Sequence, residues 1–260
     1  MTHAEERART LRRIRDSLQE LVADGIDYVP RPPRARPAAV LPVAPAPAPS
    51  AFRPRVAPLA APIAVNEAAG DKVRLLAAVR AEIGDCRRCR LCEKRKEIVF
   101  GEGAADARVV FVGEGPGEEE DKSGRPFVGR AGELLTKMVE AVGWRREDVY
   151  ICNIVKCRPP GNRDPQPDEI ATCQAFLEQQ IRAIAPRAIV TLGKPAISTL
   201  LGRTVAITKL RGQWQEWQGV PVMPTYHPAY LLRNYTRETR QAVWDDLRAV
   251  RERVEGTSAP

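Results

Sequence analysis

The chain has 260 residues, with 41 Lys and Arg against 33 Asp and Glu, which gives a formal net charge of +8. This charge favours a polyanionic partner such as nucleic acid. The sequence has no apolar run long enough to span a membrane, and its N-terminus is too polar for a secretory signal. We therefore expect a cytoplasmic protein, and we expect it to be a monomer.

Composition divides the chain into four segments. Residues 1–28 place aliphatic side chains at helical spacing between charges, which predicts an amphipathic helix that could bind a partner protein. Residues 29–70 are rich in Pro and Ala and cannot bury enough apolar surface to fold, so we predict a disordered linker. Residues 71–255 are long enough for one domain with its own core, and 256–260 form a tail.

Strands alternate with helices through the folded domain. The patterns predict strands at 109–112, 148–154, 188–192 and 222–225, and helices near 71–83, 130–142, 167–184, 195–201 and 237–254. A hairpin-like segment at 210–222 precedes the last strand. Such alternation is typical of parallel sheets covered on both faces. We therefore predict a three-layer α/β/α fold with a mainly parallel four-stranded central sheet.

The first predicted strand ends in a glycine-rich loop, and together they read VVFVGEGPG at 109–117. Ligands of open α/β sheets bind at the carboxyl ends of the strands, and glycines let a ligand approach the backbone closely. The spacing of Gly113, Gly115 and Gly117 does not match a dinucleotide fingerprint, and we expect no helix directly after the loop. The distinguishing feature is the carboxylate of Glu114 between two glycines.

Six cysteines in a reducing compartment favour metal ligands or buried thiols over disulfides. Four of them predict a structural four-thiolate site, because two have CxxC spacing and two flank the start of a helix: Cys86, Cys89, Cys157 and Cys173. Zinc and a [4Fe-4S] cluster both accept four thiolates, and the spacing does not choose between them. Cys152 is interpreted as a buried hydrophobe, whereas Cys92 could compete as a ligand.

Three predicted strands are followed by residues that could act on a ligand. Glu114 follows the first strand, Asn153 ends the second, His227 follows the last, and Phe127 adds a flat ring. An amide and an aromatic face can hold a flat heterocycle, and an imidazole can donate a hydrogen bond to charge on a leaving base. Each residue also has a structural alternative: Asn153 could cap the strand, Phe127 could be core, and His227 could be an ordinary loop histidine.

Basic and Pro-rich segments at 156–163, 193–195 and 231–234 surround these positions. Exposed Lys and Arg bind phosphates, and a Leu pair beside an Arg can wedge into a base stack. Any one of these charges could be a solvated surface residue, but together they predict a nucleic-acid-binding face. The candidate contacts are Lys156, Arg158, Lys194, Leu231, Leu232 and Arg233.

The segment from 86 to 250 resembles the family 4, iron–sulfur uracil-DNA glycosylases of bacteria and archaea. The resemblance rests on CRRCRLCE, VFGEG, GEGPGEEEDKSGRPFVGRAGELL, YICNIVKCRPPGNRDPQPDE, VTLG and YHPAYLLRN, in the family's order. It implies a uracil-DNA glycosylase-like fold and an enzyme that flips uracil out of single- or double-stranded DNA and hydrolyses its N-glycosidic bond. A related branch that forms covalent adducts carries a KRRIH insertion, which this chain lacks before Phe127.

The resemblance also implies a role for each site residue. Glu114 and Gly115 would line the site of the attacking water, and Phe127 would stack on the flipped uracil. Asn153 would read the O4 and N3 edge of the base, and His227 would stabilise the uracil anion at O2. Some glycosylases carry an Asp where this chain has Gly115, so we assign water positioning to Glu114 or to the backbone.

Further residues take their roles from the same resemblance. A [4Fe-4S] cluster would be ligated by Cys86, Cys89, Cys157 and Cys173, which leaves the other two cysteines as bystanders. Leu231, Leu232 and Arg233 would form the minor-groove wedge. Exclusion of thymine needs bulk beside C5 of the base; one of Glu118 to Glu120 could supply it, and Glu120 is our candidate. Two other functions stay open: a catalytically silent iron–sulfur protein that binds DNA beside a polymerase, and a glycosylase for other deaminated bases such as hypoxanthine.

Overall fold

The computed structural model describes residues 69–256. The helix predicted at 1–28, nearly all of the linker predicted at 29–70 and the end of the tail lie outside the described residues, so these predictions stay untested. The described elements begin at Ala69 and end at Glu255. Within this part of the chain, no helix combines the length and apolarity that a bilayer span requires.

The described strands form one mixed sheet. They are β1 (Glu102–Gly103), β2 (Val109–Gly113), β3 (Tyr150–Asn153), β4 (Ala188–Leu192), β5 (Gln215–Trp217) and β6 (Val220–Thr225). Their order across the sheet is β1-β3-β2-β4-β6-β5. The four central strands are parallel, and β1 and β5 pair antiparallel at the two edges. The predicted parallel four-stranded centre is confirmed, and β5 with β6 forms the hairpin.

Helices flank the sheet on both sides. They are α1 (Ala69–Ile83), α2 (Glu118–Ser123), α3 (Arg130–Ala141), α4 (Pro167–Ile184), α5 (Lys194–Leu200), α6 (Ile207–Leu210), α7 (Pro228–Arg233) and α8 (Arg237–Glu255). The five predicted helices match α1, α3, α4, α5 and α8 within two residues at each end. Local signals mark some ends: Pro167 opens α4 and the Thr236 hydroxyl caps α8.

Alternate residues of the strands enter two separate cores, as expected for strands with helices on both faces. Val110 and Val112 of β2 pack with side chains of α1, α4 and α5. Val109 and Phe111 pack on the opposite face with side chains of α3, α7 and α8. The predicted three-layer α/β/α architecture is therefore confirmed.

A short helix follows the glycine-rich loop, so the expectation of none is wrong. α2 begins at Glu118, directly after Gly117, and has the sequence EEEDKS. Its start is stabilised because Glu120 accepts a hydrogen bond from the backbone N–H of Gly117 at 3.1 Å. The helix has no apolar stripe, so hydrophobic periodicity could not reveal it.

Candidate active site and cysteine pocket

A cleft of about 750 Å³ lies at the carboxyl ends of the parallel strands. Its walls come from four loops, one after each central strand, because parallel strands bring their carboxyl ends to the same edge of a sheet. The residues that line it include Glu114, Gly115, Glu120, Phe127, Asp164, Lys194, His227 and Arg233. Most of the predicted site residues are therefore brought together.

Asn153 lies at the end of β3, opposite Gly113 of β2, and is 1 % exposed. A Cβ at Gly113 would collide with the amide oxygen of Asn153 and with the ring of Phe127, so glycine allows both groups to lie against the strand. The amide oxygen is buried and has no hydrogen-bond partner among the described residues. Asn153 is not among the residues that line the cleft, but its amide oxygen lies near the ring of Phe127, which does line it. An unpaired buried oxygen costs about 1–3 kcal/mol, and a base stacked on Phe127 would supply the missing hydrogen bond.

The loop that carries Phe127 has a backbone conformation that non-glycine residues rarely adopt. Phe127 has φ +52°, in the left-handed region, and its side chain is 6 % exposed. Arg146 donates to the carbonyl oxygen of Pro126 at 2.6 Å. A Cβ at Gly132 would collide with the carbonyl group of Phe127, so this glycine lets the loop rest on α3. These contacts hold the strained backbone of Phe127 in place, and with it the ring at the cleft wall.

Glu120 connects this loop to the glycine-rich loop. Besides its bond to Gly117, its carboxylate accepts hydrogen bonds from the backbone N–H groups of Val128 at 2.9 Å and Gly129 at 3.0 Å. Both of its oxygens are therefore used within the protein, although the side chain lines the cleft. The structure assigns Glu120 a bracing role, and a contact with a bound base stays a prediction.

His227 precedes α7, and its protonation state is set by its surroundings. The backbone N–H of Ala229 donates to Nδ1 at 3.1 Å, which leaves the proton of the neutral ring on Nε2. Burial lowers the pKa of His227 to about 4, with a smaller effect from Arg233, while Glu120 opposes the shift. The imidazole is therefore neutral near pH 7 and offers Nε2–H as a donor. Its ring centroid lies 5.7 Å from that of Phe127.

Glu114 forms a carboxyl pair with Asp164 in the cleft wall. Burial, the charge of Asp164 and a hydrogen bond between the two groups together raise the pKa of Glu114 to about 7, and burial has the largest effect. Gly115 leaves little room for a larger residue, because a Cβ there would lie 2.8 Å from Cγ2 of Val155. Glu114 therefore supplies the titratable carboxylate of the glycine-rich loop near neutral pH.

Four cysteines line a second, smaller pocket of about 20 Å³. They are the four predicted ligands, Cys86, Cys89, Cys157 and Cys173. Ile83, Ile98 and Phe176 complete its apolar wall. Cys152 is instead buried in the core beside the sheet, and Cys92 is half-buried in the short helix after Cys89. The structure therefore brings these four cysteines to one pocket, and their role as metal ligands stays a prediction.

Three N–H groups donate to sulfur atoms around this pocket. Arg95 donates to Cys157 Sγ at 3.4 Å, Arg88 to Cys86 Sγ at 3.5 Å, and a backbone N–H to Cys173 Sγ at 3.3 Å. Burial raises the pKa of Cys157 to about 11, and Arg95 opposes that shift. Four sulfurs, three of which receive N–H donors, fit a four-thiolate metal centre in their chemistry. Within residues 69–256, no three His, Cys, Asp or Glu side chains are close enough to hold a single ion.

Comparison with known proteins identifies the family. Residues 100–248 match the model of the uracil DNA glycosylase superfamily. The type-4 uracil-DNA glycosylase of Thermotoga maritima is 54% identical over 175 residues, which cover 66% of this chain and 91% of that protein. The type-4 enzyme of Sulfurisphaera tokodaii is 44% identical over 183 residues, 67% of this chain and 82% of its own. This chain belongs to the type-4 family of the uracil-DNA glycosylase superfamily.

A more distant relative lies in a neighbouring family. The type-5 uracil-DNA glycosylase of Pyrobaculum aerophilum is 35% identical over 164 residues, which cover 56% of this chain and 72% of that protein. The family resemblance read from the motifs is confirmed, and so is the fold class that it implied.

The prediction that Lys156 contacts DNA is wrong. Its side chain is 2 % exposed, and Nζ donates to the backbone oxygen of Asn153 at 2.8 Å and to Oε1 of Gln180. A buried ammonium group that is bonded within the protein cannot contact a phosphate. The neighbouring Arg158 is only partly exposed and donates to Oδ1 of Asn162 at 2.8 Å.

The predicted wedge is divided between the core and the surface. Leu231 is 2 % exposed and packs in the core that contains α3 and α8, so its predicted contact with DNA is wrong. Leu232 is 38 % exposed, and Arg233 is exposed and lines the cleft. Lys194 is also exposed at the cleft, as the first residue of α5. These three keep the exposure that a DNA contact requires.

Two residues that the structure places at the sites were not predicted from the sequence. Asp164 lies beside Glu114 in the cleft, and Arg95 bonds a sulfur of the cysteine pocket. Both had a weak signal: Asp164 is a carboxylate in the loop after β3, and Arg95 follows the CxxC pair by six residues. Neither signal alone separates a site residue from a surface charge.

Proposed function

We propose that this chain is a DNA repair enzyme that removes uracil from DNA. It flips deoxyuridine into the cleft, hydrolyses the N-glycosidic bond, releases free uracil and leaves an abasic site. The observation that carries the proposal is the amide of Asn153, whose buried oxygen has no hydrogen-bond partner among the described residues. Membership of the type-4 family supports the same activity.

Base recognition follows from the chemistry of an amide. The oxygen of Asn153 accepts a hydrogen bond from N3–H of uracil, and its nitrogen donates to O4. Cytosine presents an amino group where uracil has O4, so two donors would face each other. A site built on a hydrogen bond rejects a base that cannot make it by a large factor. Phe127 provides the aromatic face on which the flipped base stacks.

Bond cleavage requires stabilisation of a leaving anion. Glycosidic cleavage passes through an oxocarbenium-like sugar, and negative charge develops on the base. The neutral ring of His227 donates Nε2–H to O2 of that base, because the hydrogen bond from Ala229 keeps the proton on Nε2. Its pKa of about 4 keeps the ring neutral when the substrate binds, so the donor is present in every molecule near pH 7.

We assign the positioning of the attacking water molecule to Glu114. Above its pKa of about 7 the side chain is a carboxylate, which accepts a hydrogen bond from water and faces the cationic sugar. Below this pKa the group is protonated and cannot accept a proton from water. We therefore assign water positioning to Glu114, with Asp164 controlling its charge.

The cysteine pocket fits a metal centre in its donor set. We propose that its four cysteines hold a [4Fe-4S] cluster. A zinc ion is the alternative, and it would require the sulfurs to move closer together, because no three side chains of the described residues are close enough to hold a single ion. When bound, such a centre would cross-link the segment before β1 to the loop after β3 and to α4, and so stabilise the fold. Brown protein with broad absorbance near roughly 400 nm supports the cluster, whereas colourless, iron-free protein from an anaerobic preparation contradicts it.

The surface around the cleft fits a DNA strand. Leu232, Arg233 and Lys194 are exposed there, and we propose that they contact DNA beside the flipped nucleotide. The proposed substrate is single- or double-stranded DNA, and the proposed enzyme is a monomer.

Labelled oligonucleotides that carry one uracil, one hypoxanthine or one thymine mismatch test the activity. After incubation with the protein, alkali breaks the strand wherever a base has been removed. We expect breaks at uracil that disappear with His227→Ala, which removes the Nε2–H donor. Tight DNA binding without breaks at any base would contradict the proposal and favour a silent DNA-binding protein.

A further inference from the structure

Lys156 contacts both the cysteine pocket and the residue that reads the base. It lines the cysteine pocket, and its backbone N–H donates to Cys173 Sγ at 3.3 Å. Its buried ammonium group donates to the backbone oxygen of Asn153 at 2.8 Å. This one residue therefore bonds to a predicted cluster ligand and to the last residue of β3.

A buried hydrogen-bond network holds Lys156 in place. Its ammonium group also donates to Oε1 of Gln180. The amide nitrogen of Gln180 donates to the backbone oxygen of Phe100 at 2.9 Å and to the hydroxyl of Tyr150 at 3.1 Å. The backbone oxygen of Lys156 accepts from Val99 N–H at 2.8 Å. The bonds from Gln180 and Val99 hold Lys156 against the end of β3, and Gln180 keeps its bond to Phe100 even without the hydroxyl of Tyr150.

The charge of Lys156 also points to the cysteine pocket. Buried charges in proteins are usually paired with an opposite charge. The buried carboxylates Glu169 and Asp246 pair with Arg163 and Arg211. Among the described residues, no carboxylate lies within the 4.0 Å that defines an ion pair with Lys156. A centre with four thiolate ligands carries a net negative charge, and it would supply the missing partner.

We propose that Lys156 is a positioning residue that connects the four-cysteine site to base recognition. The inference rests on the proposed function, because it concerns how Asn153 is held for uracil. The ammonium group fixes the carbonyl of Asn153 and with it the direction of the side-chain amide. The backbone bond to Cys173 keeps Lys156 at the cysteine site, and the charge of the site stabilises the ammonium group.

The test compares two full-length variants with the wild type, all purified anaerobically. Lys156→Met keeps the length of the side chain and removes the ammonium group. Tyr150→Phe is the matched control, because it changes the same buried network but leaves the contact between Lys156 and Asn153 intact. The measurements are single-turnover uracil release, affinity for an oligonucleotide with an uncleavable 2′-fluoro-deoxyuridine, iron content and the midpoint reduction potential.

We expect Lys156→Met to retain iron and DNA affinity but to release uracil about 10- to 100-fold more slowly, as typical for a group that orients a site residue. Its potential should shift to lower values, because a nearby positive charge stabilises the reduced cluster. Tyr150→Phe should match the wild type in rate and potential. A purely structural contribution to folding would leave the potential unchanged.

Each other outcome gives a definite answer. Wild-type rate and potential in Lys156→Met would overturn the inference alone, and so would a slow variant that has lost its iron. A wild-type protein that releases no uracil would overturn the proposed function and the inference together. If Lys156→Met does not fold, Gln180→Leu replaces it: we expect slower release with iron retained, and an unchanged rate would overturn the inference.

Discussion

The cleft and the cysteine pocket are built in different ways. The cleft of about 750 Å³ is formed by loops that follow four separate strands, and it is lined by charged and polar groups. The cysteine pocket of about 20 Å³ is lined by the end of α1, the segment after it, the loop after β3 and part of α4, and apolar side chains lie beside the sulfurs. One pocket has room for a nucleotide, and the other is packed like a core.

The groups in the cleft and next to it are held in states that cost stability. Asn153 has an unpaired oxygen, burial raises the pKa of Glu114, and burial lowers the pKa of His227. Such states are typical of sites where a ligand supplies what the protein lacks. Substitutions in the cleft should therefore change the rate and spare the fold, whereas substitutions of the four pocket cysteines should change the fold first.

The largest effect on rate is expected for Asn153→Ala. The variant loses the amide that reads uracil and orients the base, so single-turnover release should fall by about 100- to 1,000-fold. Because the amide oxygen has no partner among the described residues, the melting temperature should change little.

Thr191→Val is the matched control for Asn153→Ala. Thr191 is also buried near a strand end, and its hydroxyl likewise has no partner among the described residues. This variant should match the wild type in rate and in melting temperature. Normal uracil release by Asn153→Ala, or an equal loss in both variants, would contradict the assigned role of the amide.

The largest effect on stability is expected for Cys173→Ser. Loss of one thiolate should release the metal centre, and binding energy that stabilised the fold is lost with it. We expect the melting temperature to fall on the order of 10 °C, measured by circular dichroism. Cys92→Ser should keep its metal and its melting temperature, because Cys92 is not one of the described residues that line the pocket. Equal losses in both variants would contradict the assigned ligand set.

A smaller effect concerns the pH dependence of the rate. Glu114 has a pKa of about 7 and acts as the carboxylate, so release should rise with pH through about 7 and then level off. Asp164→Asn removes the neighbouring charge that raises this pKa, so the rising limb should move to lower pH. If the rate rises at the same pH in the wild type and in Asp164→Asn, the pair of Glu114 and Asp164 does not control the rate.

The smallest effect is expected at the rim of the cleft. Lys194→Ala should weaken binding of uracil-containing DNA a few-fold and reduce the slope of log affinity against log salt by about 1. Lys137→Ala is the matched control, because Lys137 is exposed on α3 and does not line the cleft. Equal changes in both variants would mean that binding follows net charge and not the proposed contact.

Local patterns in the sequence predicted the elements with strong periodicity. The apolar runs of β2 and β4 and the helix α4, with its Pro167 start, were placed within a residue or two. Helix α2 was missed because its four acidic residues in a row carry no apolar stripe. The four cysteines of the pocket were found from spacing and from family resemblance, not from any contact between them.

Residues in similar sequence contexts differ in whether the fold buries them or exposes them. Leu231 and Leu232 are neighbours in α7, a helix of only six residues, yet one is in the core and the other is exposed. So short a segment does not show which of its faces is apolar. Lys156 and Lys194 both follow strands in basic loops, but only Lys194 is exposed. Burial depends on what packs against a residue from distant parts of the chain.

The amino-acid sequence by itself determined the alternation of strands and helices, the residue types at the strand ends and the family. Those features depend on periodicity and on short motifs, which are local. The tertiary structure alone decided that His227 is neutral, that Glu114 titrates near pH 7, and that Lys156 lies between Asn153 and Cys173. The physical reason is that charge and hydrogen bonding depend on burial and on neighbours, and packing brings those neighbours from segments far apart in the chain.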